Sequence, residues 1–148
     1  MRRLLLSLLL LTSSVFAAPV VSQHWLDAKV HYWSHVLRLE DWDIRAYTAH
    51  AYELKDETWG QSRRVIPVRV MIILVLDPAD YPEVEKINGT PPKSDKEILA
   101  DIEDTIVHEL VHLRLRDLVM CTDESEEERL AEELTVNRIT AALLRPNK

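Results

Sequence analysis

The sequence predicts a small α+β domain, and three observations carry that prediction. Apolar residues recur at helical spacing in the early and late parts of the chain. A run of consecutive aliphatic residues lies in the middle, and the segments follow in the order helix, strand, strand, helix, helix. At 148 residues the chain suits one domain with its own core. Apolar residues make up 47% and charged residues 29%, a mix that belongs to ordered globular chains rather than disordered ones.

The first seventeen residues are set apart from that domain. Arg2 and Arg3 precede an apolar run from Leu4 to Phe16, and Val15-Phe16-Ala17 offers small residues where a signal peptidase reads them. The run is short and hydroxyl-rich at its end for a spanning helix. A signal peptide over 1–17 is therefore expected, leaving a single domain over 18–148. That domain would be exported, periplasmic or secreted from a bacterium, with no stable membrane anchor after cleavage.

Each element of the domain has a local cause. Leu26, Val30, Trp33 and Leu37 mark one face of a helix over about 22–39, widened by Trp25 and Val36. Residues 44–54 read as a strand and 56–64, polar and containing Gly60, as a turn. The segment 65–76 reads as the best strand. Its run from Val70 to Leu76 is apolar on both faces, as a strand covered on both sides would be. Five prolines and glycines between Asp77 and Ser94 predict a long surface loop. Ser94 and Glu97 then form a capping box that opens a helix with Ile98, Ile102, Ile106 and Leu110 at four-residue spacing. A last helix is expected over about 124–144, its acidic first turn suited to the positive end of the helix dipole.

Composition excludes several functions. With 25 acidic against 18 basic side chains and a net charge of -7, the chain lacks the cationic surplus that nucleic-acid backbones demand. The single Cys121 excludes an internal disulfide and any zinc site built on two cysteines. Two glycines, Gly60 and Gly89, leave no glycine-rich phosphate loop.

One motif carries chemistry. His108-Glu109-Leu110-Val111-His112 is an H-E-x-x-H sequence within the helix opened at Ser94. Residues four apart stand one turn above each other, so both imidazoles can face one metal ion, and Glu109 can take a proton from a water held there. Random placement of this chain's histidines and glutamates would give about 0.02 such motifs. Catalytic zinc takes three protein ligands, but no histidine follows His112, and Leu115 and Leu118 stand where the longer metzincin pattern needs glycine and histidine. The third ligand is thus expected to be a carboxylate or an upstream group. Leu130, Glu133, Leu134, Asn137 and Ala141 fall on one face of the last helix, which puts Glu133 beside an apolar stripe, with Glu132 as its competitor. Asn137, one turn on, can orient Glu133 or a ligand histidine. His31, His35, His50, Tyr47 and Tyr52 are candidates for stabilising an oxyanion.

His108-Glu-Leu-Val-His112, followed by Glu133-Leu-Thr-Val-Asn137-Arg-Ile-Thr-Ala-Ala-Leu-Leu-Arg-Pro146, resembles the small gluzincin-type metallopeptidases. The similarity is to the ImmA/IrrE-like group and to short bacterial and phage metallopeptidase-like proteins. It covers roughly residues 95 to 146, with a looser likeness at Leu39-Glu-Asp-Trp-Asp-Ile44. Val136, Thr140 and Ile139 depart from the alanines and the aromatic usual in that group, and the signal sequence departs from its cytoplasmic, repressor-cleaving members. The resemblance implies a minimal zincin-like domain with Zn2+ held by His108, His112 and Glu133. It further implies Glu109 as general base and a peptide or protein substrate. The other class of function compatible with these residues is a catalytically silent domain in which zinc ties two helices together and the outer face binds a partner.

Overall fold

The computed structural model describes residues 21–55, 58–118 and 125–145. The expected signal peptide and Cys121 lie outside them. The fold is the expected α+β mixture: helix α1 (Gln23–Val36), strands β1 (Asp43–Ala49), β2 (Gly60–Val65) and β3 (Val70–Leu76), then helices α2 (Tyr81–Asn88), α3 (Asp95–Leu118) and α4 (Glu126–Leu144). Short 3-10 turns follow β1, join β2 to β3 and precede α2.

β3 is the central strand. β1 pairs with it in parallel from Asp43↔Val70 to Ala49↔Leu76, and β2 pairs antiparallel from Gly60↔Val75 to Val65↔Val70. Alternate residues Met71, Ile73 and Val75 are fully buried and meet α1 and α3 through Leu26, Val30, Trp33, Ile102 and Ile106. The opposite parity is half-buried at Val70 and Leu74, exposed at Ile72 and buried only at Leu76. A strand covered on both faces was the expectation. Among the described residues the sheet instead has helices on one face alone, and its other face retains an apolar central row.

Three further expectations are corrected. The polar stretch read as a turn contains β2. The segment read as one strand from residue 65 is a hairpin, turned by Ile66-Pro67-Val68 and by Arg69 at φ 51°. Pro67 sits in that turn, where its missing N–H costs no ladder bond. Gly60 permits the arrangement, because a Cβ there would lie 2.3 Å from Thr105 Cγ2 and 2.8 Å from the Leu74 carbonyl oxygen. β2 can therefore approach α3 only with glycine at its start.

The expected loop over 77–94 holds a helix. Two of its four prolines, Pro78 and Pro82, stand in first turns, where the N–H would have no helical partner. The Asp77 side chain accepts from the Ala79 N–H, and Gly89 at φ +66° ends α2. Buried Tyr81 packs on the Trp59 ring at 5.2 Å, and Lys93 sits over Trp59 at 4.4 Å.

α1 is fastened to α3 by Glu103, which accepts from Lys29 Nζ at 2.6 Å and from Trp33 Nε1 at 2.9 Å. Gln23 donates to the Ala46 carbonyl at 2.8 Å and so occupies part of the outer edge of β1. The outer edge of β2 pairs with no strand among the described residues. β3 has neighbours on both sides and offers no edge to an extended ligand, whereas β2 does.

Candidate metal centre

α3 presents the H-E-x-x-H motif from a firmly seated frame. Ile98, Ile102, Ile106, Val107, Leu110, Val111 and Leu113 are all buried, which fixes the rotation of the helix about its axis. Glu97 reaches back to accept from the Ser94 N–H at 2.8 Å and from its hydroxyl at 2.6 Å, holding the N-terminus. Those hydrogen bonds keep the Glu97 carboxyl below its usual range.

His108 and His112 stand one turn apart, with ring centroids 4.8 Å apart and Nε2 atoms 3.1 Å apart. Glu133 crosses from α4 to both rings. Its Oε1 is 3.2 Å from His108 Nε2 and its Oε2 is 3.1 Å from His112 Nε2. These three side chains form a group that could hold a metal ion. Ligand atoms on a tetrahedron with bonds of 2.0–2.1 Å stand about 3.3–3.4 Å apart, a spacing with which these contacts are compatible. With both imidazoles protonated on Nδ1 the two Nε2 lone pairs would face each other, an arrangement that a shared cation would favour; with one proton on Nε2 the same contact is a hydrogen bond. The donor set is two imidazole nitrogens and one carboxylate.

The residue that orients the site is Glu132, not Asn137. Glu132 Oε1 lies 2.7 Å from His112 Nδ1 and accepts from Arg116 Nε at 2.8 Å, and its side chain is only 13% exposed. A carboxylate at Nδ1 favours the tautomer with the proton there, which turns the Nε2 lone pair toward the shared centre. Asn137 is exposed on α4, and no hydrogen bond ties it to His112 or Glu133 among the described residues. Glu132, expected as the competitor of Glu133, stands behind His112 instead.

The face argument that favoured Glu133 fails even though Glu133 itself converges on the histidines. Leu130 is 59% and Leu134 53% exposed, and Ala141 is also exposed. The packed face of α4 runs through Glu132, Val136, Ile139, Thr140 and Leu143, with Val136 and Thr140 buried. Glu133 sits at the border of that face. Its position follows from Val136, one turn on, and not from the leucines.

Glu109 lies beside the histidines in a cleft of 680 Å³, within the usual range for small-ligand sites. Ser62 on β2 donates its hydroxyl to Glu109 Oε2 at 2.5 Å, leaving Oε1 without that partner. Sequence reasoning missed Ser62, since its strand was read as a turn. Lys55, Arg64, Arg116 and Arg129 bring positive charge to the cleft wall. Partial desolvation raises the pKa of Asp104, one turn before His108, while His108 opposes the shift and Asp101 adds to it. None of His31, His35, His50, Tyr47 or Tyr52 lines the cleft. His35 pairs with Glu40, and His50 pairs with Asp80 and stacks on Tyr52. The segment 77–94 contributes no lining residue either, so α2 does not roof the cleft as described.

Comparison with protein-family models, with curated proteins and with solved structures returned no match.

Proposed function

We propose that this chain is an exported zinc metallopeptidase that hydrolyses peptide bonds, with His108, His112 and Glu133 as the metal ligands and Glu109 as the general base. The observation that carries the reading is the meeting of Glu133 with both motif histidines at 3.1–3.2 Å, with Glu109 in the same cleft. Zinc bound by such a set supplies Lewis acidity and lowers the pKa of a bound water to about 7.

The chain's own residues supply the rest. Ser62 holds Glu109 Oε2, so Oε1 is the oxygen that accepts the proton and later delivers it to the leaving amine. Glu132 keeps His112 in the ligating tautomer, and Arg116 holds Glu132 in place. The open edge of β2, from Gly60 to Val65, runs along the cleft and can pair with an extended peptide main chain. Arg64 and Arg129 line the cleft and are the cations we assign to a developing oxyanion.

A structural-zinc binding module would need the three ligands but no base. Glu109 is not spent on the core and is oriented by a dedicated hydroxyl, which favours the enzyme. The test is cleavage of a mixed peptide pool, read by mass spectrometry, for wild type against Glu109→Gln. The variant is expected to retain zinc and lose hydrolysis by at least about 100-fold, as removal of a general base does. Equal behaviour of the two proteins on the whole pool would leave the binding module as the correct reading.

A further inference from the structure

The β2–β3 hairpin carries a surface that the site does not use. Its turn, Ile66-Pro67-Val68, exposes Ile66 at 68% and Val68 at 63%, with Val65 beside them also exposed. The apolar surface continues onto the uncovered sheet face at Ile72, in register with Arg63 on β2 and Arg45 on β1. These are aliphatic side chains at a hairpin turn on the end of the three-stranded sheet, where a soluble domain ordinarily puts polar turn residues.

The charge around this tip runs against the rest of the molecule. The chain has a net charge of -7, yet residues 58–76 contain Arg63, Arg64 and Arg69 and not one acid. Arg63 is exposed. Arg69 lies against Trp42 and pairs with Asp41, and Arg45 pairs with Asp43, each pair more than half exposed on average and thus exchangeable with another anion. An apolar tip inside a collar of arginines matches the profile of an anionic bilayer surface, with hydrocarbon below and phosphate around.

We propose that the β2–β3 hairpin tip docks the protein on anionic membrane surfaces, with Ile66 and Val68 entering the headgroup–acyl boundary and Arg63 and Arg69 meeting lipid phosphates. No described helix is long and apolar enough to cross a membrane, so the contact is peripheral. Three apolar side chains alone give weak partitioning, and the arginines make it dependent on lipid charge. Because Arg64, next to the tip, also lines the cleft, docking sets the cleft mouth close to the bilayer.

The experiment places a bimane label on Val68→Cys in a Cys121→Ser background of the full chain. The same label on Ile87→Cys is the control, since Ile87 on α2 is equally apolar and exposed but lacks the collar. With phosphatidylglycerol vesicles the tip label is expected to shift to the blue and to be quenched by spin-labelled lipid, while the Ile87 label stays unchanged. Phosphatidylcholine vesicles should have little effect. Arg63→Gln should raise the lipid needed for half the shift by about fivefold, the contribution of one arginine near an anionic surface. Any of three results overturns the proposal: no response at the tip, equal responses of tip and control labels, or equal responses to charged and neutral lipid. A blue shift that depends on protein concentration without vesicles also overturns it, and assigns the tip to a contact between copies of this chain.

Discussion

The two helices that build the centre are held in different ways. α3 is anchored along seven buried apolar side chains and would keep its rotation with or without a metal. α4 buries only Val136 and Thr140 fully, with Ile139, Leu143 and Leu144 partly covered. At its N-terminal half the contacts with α3 are polar: Glu132 with His112 and Arg116, and Glu133 with His108 and His112. α3 is thus a preformed platform, while α4 is docked in good part through the site itself. A metal ion bound between them would add to the stability of the α3–α4 contact as well as supply chemistry.

The largest effect that would expose this difference is expected from His112→Ala. It removes a proposed ligand and the partner of both α4 carboxylates, so zinc affinity should fall by more than about 100-fold, beyond what loss of an orienting residue produces. Hydrogen exchange should rise in α4 and stay slow in α3. Equal loosening of both helices would break the contrast. Glu132→Ala comes next, with metal affinity lowered by about 10–100-fold and partly restored by Glu132→Gln, which can still accept at His112 Nδ1. Isothermal titration with zinc separates these values.

Smaller effects sharpen which face of α4 is packed. Val136→Ala should cost about 2 kcal/mol in chemical denaturation, as deletion of buried methyl groups does. Leu134→Ser, on the face once taken for the packed one, should change stability by no more than about 0.5 kcal/mol. A pH-dependent change is expected at Ser125, whose hydroxyl accepts from the Glu128 N–H while Glu128 accepts from the Ser125 N–H at 2.8 Å and from its hydroxyl at 2.8 Å. The backbone and hydroxyl of Ser125 hold the Glu128 carboxyl below its ordinary value of 4.5. A depressed folded value means that this stabilisation is complete above pH 4.5 and fades as pH falls through the lower folded value. Thermal melts of Ser125→Ala should therefore differ from wild type at neutral pH and converge in acid.

The same contrast explains what could be read before the fold was known. α3 was legible because capping, a four-residue apolar repeat and the metal motif all coincide on one helix. β3 was legible as a central strand from its aliphatic run, although only its neighbours reveal that one face is open. β2 was not, because Gly60-Gln-Ser-Arg-Arg64 has no alternation of apolar residues, and its place is dictated by pairing with β3 and by the close approach at Gly60. α2 was hidden by prolines that start helices as readily as they end them. On α4, Glu133 was reached through the wrong stripe. Leu130 and Leu134 are more apolar than Val136 and Thr140, and only tertiary packing tells which pair faces inward. The capping box at Ser125 and Glu128 was a local signal that the acidic run obscured.

The most direct measurement is the zinc K-edge absorption spectrum of the purified protein at one zinc per chain. Two imidazole nitrogens and carboxylate oxygen at about 2.0–2.2 Å are expected, with the imidazole signal reduced in His108→Ala and His112→Ala and the oxygen shell altered in Glu133→Ala. A sulfur shell at about 2.3 Å, or a spectrum indifferent to Glu133→Ala, would contradict a centre shared between α3 and α4.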